Sequence, residues 1–199
     1  AGMQELIVVA QDITRYGLDL YGARTLAKLL PKLCAIEGIH WVRLHYLYPD
    51  EITDELIDVI ANEPKIVKYL DIPIQHISDH LLKSMHRRGT GEEIRALFRK
   101  LRERIPGLVL RTSLIAGFPG ETEAEFADTL TLVEEVQYDS AFTFIYSPRR
   151  GTRAAARPDQ IPEAVQHERL DRLIRVQERA TASRLAQQGG SVQEVLVEG

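Results

Sequence analysis

The chain has 199 residues, of which 44% are hydrophobic, enough to bury the core of one sizeable domain with or without an appendage. Its 25 Lys and Arg residues nearly balance 29 Asp and Glu residues, so a net charge of −4 gives no general attraction to nucleic acid or membranes. No apolar run approaches the roughly 20 residues that span a bilayer, and the first residues lack the features of a secretory signal. With Cys34 as the only cysteine, an internal disulfide is excluded, and we expect a cytoplasmic protein that does not enter a membrane.

Short apolar runs alternate with amphipathic segments along most of the chain. The predicted strands are residues 6–10, 41–48, 69–74, 108–116 and 141–146. The predicted helices are residues 25–36, 52–62, 78–86, 90–105 and 122–136. Thr90 and Thr122 each begin a capping box, whereas Pro31 should kink or shorten the first helix. Continuous apolar runs favour parallel strands buried on both faces, so we expect an α/β fold, either an open doubly wound sheet or part of a barrel.

The character of the sequence changes after Tyr146. Residues 147–153 form a basic loop, a linker with two prolines covers residues 158–162, and a long charged helix is predicted over residues 163–188. Gly189 and Gly190 end this helix. Residues 192–199 alternate in polarity and predict a strand that opens another module.

Polar residues lie at the end of each predicted strand, at the edge where parallel α/β folds place their sites. They are Gln11 and Asp12, His45 and Tyr46 with Tyr48 to Asp50, Gln75 and His76, Gly117 to Glu121, and Tyr146 to Arg150. A polar rim above an apolar core predicts a small-molecule site. Gly117 and Gly120 would allow close backbone approach to a ligand, although a tight turn without a ligand explains them equally well.

Two other features admit two interpretations each. His76 is either a ligand contact or a hydrogen-bonded structural group. The arginines at positions 149, 150, 153 and 157 either contact phosphate or an acidic partner, or lie in a solvated loop. Cys34 is expected to be a buried core thiol, and the six scattered histidines show no metal-ligand spacing.

Four segments, residues 10–17, 43–49, 69–76 and 110–122, closely resemble the radical S-adenosylmethionine (SAM) methylthiotransferase family. They are most similar to the branch that modifies an aspartate of a small-subunit ribosomal protein. Residues 139–149 and 195–199 are more similar to the branch that modifies an adenosine beside the tRNA anticodon. The substrate is therefore predicted to be the ribosomal protein, with tRNA as the alternative.

The resemblance implies a partial radical SAM barrel of about five parallel strands over residues 1–158. A linker and a long helix over residues 159–190 and the start of a TRAM-like strand over residues 191–199 would follow it. The family uses SAM and 4Fe–4S clusters, together with a reductant. Its C-x-x-x-C-x-x-C cluster loop has no counterpart here, so we expect no catalytic or metal-binding residue in this chain and no activity from it alone. A non-catalytic binding module is the third alternative.

The resemblance also assigns candidate site residues by position. Those expected to bind or adjoin the cofactor are Gln11, Asp12, Gln75, His76, Arg111, Ser113, Gly117 and Glu121. Within this set, Gln11 and Asp12 would lie near the methionine end of SAM. Ser113, Gly117 and Glu121 would lie near its ribose and adenine, and the other three would line the cavity between cofactor and substrate. Tyr146 and Arg149 would contact the substrate, although Arg150 and Arg153 stand where the family would have prolines.

Overall fold

Five parallel strands and seven helices form an α/β structure in the computed structural model, which describes residues 2–197. The strands are β1 (Glu5–Val8), β2 (Trp41–Leu44), β3 (Tyr69–Asp71), β4 (Val109–Ala116) and β5 (Ser140–Ile145). The helices are α1 (Leu18–Tyr21), α2 (Leu26–Cys34), α3 (Asp54–Asn62), α4 (Asp79–Ser84), α5 (Gly91–Arg104), α6 (Glu123–Val136) and α7 (Glu163–Ala186). The predicted fold class is confirmed.

The strands follow one another in chain order. One parallel ladder joins β1 to β2, and a second joins β3, β4 and β5. Between the ladders, the Leu47 N–H donates to the Asp71 carbonyl over 3.0 Å, and the Val67 N–H donates to the Val42 carbonyl over 3.0 Å. A doubly wound sheet reverses its strand order, whereas this order does not reverse, so the strands form part of a barrel wall.

The two faces of this wall differ in burial. Along β4, Leu110, Thr112, Leu114 and Ala116 are buried against the helices, whereas Arg111 and the other alternate residues are only partly buried. We call the second side the inner face. It carries the side chains of Glu5, Ile7, Arg43, Tyr69, Asp71, Arg111, Ser113, Phe142 and Phe144. Ile7, Phe142 and Phe144 remain more than half exposed there.

Several elements are shorter than predicted, for local backbone reasons. The β2 strand ends at Leu44 because Tyr46 turns to a φ of 59°. The β3 strand ends at Asp71 because Pro73 has no N–H for a ladder and Gln75 has a φ of 71°. Helix α2 retains Pro31 but spans nine residues, so the predicted shortening is confirmed.

Residues 191–197 have no regular secondary structure, in contrast to the strand predicted over 192–199. No strand among residues 2–197 pairs with them, and an isolated strand lacks the ladder that stabilises it. Glu198 and Gly199, the end of that predicted strand, lie outside the described residues. Within the described part of the chain, no helix is long and apolar enough to cross a membrane.

Candidate functional site

The carboxyl ends of the strands bring together most of the predicted site residues. Backbone hydrogen bonds join neighbouring ends: the Ile13 N–H donates to the Tyr46 carbonyl over 3.2 Å, and the Tyr146 N–H donates to the Ala116 carbonyl over 2.9 Å. Three strands continue here into left-handed backbone, at Tyr46 (φ 59°), Gln75 (φ 71°) and Gly117 (φ 74°). Two of these are bulky residues, and such strain concentrates at functional sites. The strain at Tyr46 could not be read from the sequence.

A cleft of about 550 Å³ opens beside the ends of β1 and β2. Its lining residues are Ala10, Gln11, Asp12, Arg15, Tyr48, Asp50, Glu51, His86, Arg87 and Arg88. The predicted contacts Gln11 and Asp12 therefore do lie on an open cavity. The Asp12 carboxylate accepts the Thr14 N–H over 3.0 Å and caps a short 3-10 turn, which fixes the loop after β1.

Glu121 is the centre of a buried polar network behind the glycine loop, residues 117–121. Its Oε2 accepts from the Gly117 N–H and from Arg169 Nη1, both over 2.7 Å. Its Oε1 lies 3.0 Å from His76 Nε2, and the Ser78 N–H donates to His76 Nδ1 over 3.0 Å. Because Nδ1 accepts, Nε2 carries the proton and donates to Glu121.

This network changes how two predicted cofactor contacts are placed. The side chains of His76 and Glu121 are 0% and 1% exposed, and their polar atoms are engaged within the protein. We expected both on a cavity wall, but the structure puts them behind the glycine loop. Glu121 binds the Gly117 N–H directly, and His76 in turn binds Glu121.

Helix α7 supplies two residues that the sequence did not reveal. Gln166 Nε2 donates to the Gly117 carbonyl over 3.0 Å, and Arg169 Nη1 donates to the Glu121 carbonyl over 3.0 Å. A Cβ on Gly117 would meet Gln166 Cγ at 2.4 Å, so only glycine fits this approach. A charged helix is usually solvated on its polar face, and no local pattern marks these two residues as buried.

The remaining predicted residues, apart from Arg149, lie on or near the inner face. Ser113 and Arg111 alternate along β4, and Gln75 forms an isolated bridge with Leu114. The Tyr146 ring packs edge-on against Phe118 at 5.1 Å, and its hydroxyl is buried without a partner among residues 2–197. Arg149 is exposed, so the structure does not bring it into the same cavity.

The residues present do not fit an iron–sulfur cluster. Cys34 is buried in α2, and burial raises the pKa of its thiol, which disfavours the thiolate that a cluster needs. In the described part of the chain, no group of three or more His, Cys, Asp or Glu residues could hold a metal ion.

The structure is thus a partial barrel of parallel strands in chain order, with a glycine loop at its carboxyl edge. Sequence comparison shows which superfamily of enzymes this fold belongs to. The model of the radical SAM superfamily matches residues 5–133, and the chain belongs to this superfamily. Coproporphyrinogen III oxidase from Escherichia coli, a radical SAM enzyme, shares the fold with a TM-score of 0.62, at 20% identity over 77% of this chain and 37% of its own.

The chain is more similar to particular members of the superfamily. It is 52% identical over 198 residues to the ribosomal protein uS12 methylthiotransferase RimO of Geobacter sulfurreducens, and 50% identical to that of Trichlorobacter lovleyi. All of this chain is covered in both comparisons, but only 44% of each relative. The chain thus spans less than half the length of the curated relatives that it matches.

Proposed function

We propose that this chain is the barrel segment of a radical SAM methylthiotransferase that modifies an aspartate of ribosomal protein uS12. The observation that carries the proposal is the identity of 50–52% to uS12 methylthiotransferases along the whole chain. The glycine loop and the polar carboxyl edge of the strands support it, since radical SAM enzymes share this fold. A ribosomal substrate implies a cytoplasmic location, and residues 191–199 would lead towards a TRAM-like domain.

In this proposal, SAM binds at the carboxyl edge of the strands. Gln11 and Asp12 would contact its methionine end from the cleft, and Ser113 and the backbone at Gly117 would face its nucleoside end. Glu121 would act indirectly, by fixing the Gly117 N–H, and His76 by holding Glu121 in place. The 4Fe–4S clusters would be held by cysteines outside these 199 residues, and together with a reductant they would supply the radical chemistry.

The test uses the full-length protein that contains this chain, reconstituted anaerobically with iron, sulfide and a reductant. We expect the ribosomal protein to gain a methylthio group on one aspartate, detected by mass spectrometry of its peptides. A substrate with that aspartate replaced by alanine is the control and should gain nothing. Methylthiolation of tRNA with no change in the ribosomal protein would contradict the proposal and favour the second branch.

A further inference from the structure

Gly117 is the point at which the glycine loop would be free to change its shape. Pro119 fixes its own φ and restricts Phe118, which precedes it, to extended conformations. Gly120 is tied to the following linker, because its N–H donates to the Asp159 carbonyl over 2.9 Å. Gly117 lies in left-handed backbone at a φ of 74°, which is one of several conformations open to glycine. The shape of the loop therefore depends on what holds Gly117.

Both polar groups of the Gly117 backbone are held from within the protein. Its N–H donates to Glu121 Oε2 over 2.7 Å, and Arg169 Nη1 donates to the same oxygen over 2.7 Å. Its carbonyl accepts from Gln166 Nε2 over 3.0 Å. The N–H belongs to the peptide plane before Gly117 and the carbonyl to the plane after it. Because each plane has its own hydrogen bond, the two together keep Gly117 in one conformation.

The bond from Gln166 is part of the packing of helix α7 against the loop. Gln166 is 8% exposed, and its hydrogen bond to the Gly117 carbonyl is buried. The side chain lies so close that a Cβ on Gly117 would meet Gln166 Cγ at 2.4 Å. A side chain of the same length without a donor would therefore leave a buried carbonyl unpaired, which favours a rotation of the loop away from its present shape.

The same helix makes an equivalent contact at the other end of the strands. Gln177 is 6% exposed and donates from Nε2 to the Tyr138 carbonyl over 2.8 Å and to Thr181 Oγ1 over 3.0 Å. Tyr138 precedes β5, whereas Gly117 follows β4 at the carboxyl edge. The helix rises by about 16 Å between Gln166 and Gln177. The two glutamines thus support the same core at separate places, and only one of them touches the glycine loop.

We propose that Gln166 is a positioning residue for SAM, because it keeps the glycine loop in the conformation that accepts the nucleoside end. This inference rests on the proposed function, which places that end at the loop. A ligand that binds one conformation loses affinity in proportion to the fraction of molecules that have left it. Anchoring the Gly117 carbonyl removes this loss before SAM arrives. The cofactor site thus extends to α7, beyond residue 133, where the superfamily match ends.

The test measures the binding of S-adenosylhomocysteine by calorimetry to the full-length protein with its clusters reconstituted. This probe has the nucleoside and amino-acid ends of SAM but lacks the sulfonium, so no reaction follows binding. Gln166→Met keeps the length of the side chain without the donor. We expect it to bind the probe about 3- to 10-fold more weakly, the effect of one lost hydrogen bond. In turnover, KM for SAM should rise by the same factor while kcat stays that of the wild type.

Gln177→Met is the matched control, since it removes the same kind of bond from the same helix. It should lower the urea midpoint at least as much as Gln166→Met, because Gln177 makes two hydrogen bonds. It should nevertheless bind S-adenosylhomocysteine like the wild type. If Gln166→Met does not fold, Gln166→Ala removes the same donor and takes its place. Wild-type affinity in the Gln166 variant, or equal weakening in both variants, would overturn the inference.

The failure of this inference and that of the proposed function give different results. Binding of the probe is measured without any substrate, so it tests Gln166 whether the substrate is the ribosomal protein or tRNA. The proposed function fails if the wild type does not modify the ribosomal protein, and the affinities of the two variants do not bear on that result.

Discussion

Replacing Arg169 by leucine tests the buried network behind the glycine loop. The Arg169 side chain is 6% exposed and donates two hydrogen bonds to Glu121, one to the carboxylate and one to the carbonyl. Removing one partner of a buried pair costs about 3–5 kcal/mol, because it leaves the other charge buried. Glu121 would keep the Gly117 N–H and His76, so we expect a loss near the lower limit, about 3 kcal/mol.

Urea unfolding followed by circular dichroism measures this loss. With a slope of about 2 kcal/mol per molar urea, the midpoint should fall by about 1.5 M. Arg172→Leu is the control on the same helix, since Arg172 contacts Glu123 and the Phe126 ring but is 31% exposed. An exposed pair of this kind contributes about 0–1 kcal/mol. Adding Glu121→Leu to Arg169→Leu should recover part of the stability, because no charge then remains buried. Equal midpoints for the two single variants would refute the network's role.

Three further substitutions have defined outcomes in the same unfolding assay. Gly117→Ala should lower the free energy of unfolding by about 2 kcal/mol or more, because it adds overpacking against Gln166 to the strain of a positive φ. The control Gly107→Ala (φ 73°, open space) should lower it by only about 1 kcal/mol. Equal losses in the two variants would exclude the steric effect. Burial raises the pKa of Glu125, but hydrogen bonds from neighbouring donors outweigh it and hold the pKa at about 2. Its contribution, about 1–2 kcal/mol after screening, is therefore present above pH 4.5, the ordinary value, and is lost as the pH falls towards 2, so Glu125→Gln should flatten the acid limb of stability. Burial lowers the pKa of His45 in the folded chain below its ordinary value of 6.5, so the unfolded chain binds more protons as the pH falls through 6.5. The stability should therefore decrease as the pH falls through that value. If the pH dependence of stability is the same in His45→Gln as in the wild type, this assignment is wrong.

The fold was largely predictable because its signals are local. All five strands and the helices α2 to α7 were found from runs of apolar residues, helical periodicity and capping boxes. The choice between a doubly wound sheet and a barrel was not local, since it depends on which strands become neighbours. The resemblance to a known family resolved it before the structure did.

The site was predictable in outline only. Placing polar residues at strand ends correctly located Gln11 and Asp12 on an open cleft. The burial of Glu121 was missed, because it depends on Arg169, which lies 48 residues after Glu121 in the chain. For His76, the structure agrees with the hydrogen-bonded structural alternative that the sequence had left open. Contacts over such separations leave no periodic signal in a single sequence. Whether these residues bind SAM stays a prediction.

Helix α7 has a consequence for how this protein can be shortened. The superfamily match ends at residue 133, yet Leu173, Val176 and Ala180 of α7 are buried in the same core as the strands. Gln177 Nε2 also donates to the Tyr138 carbonyl over 2.8 Å. A fragment cut at the end of the match would expose this apolar surface and remove the cation that balances Glu121. The smallest unit that folds independently should therefore extend to Ala186, and limited proteolysis should leave α7 attached to the barrel.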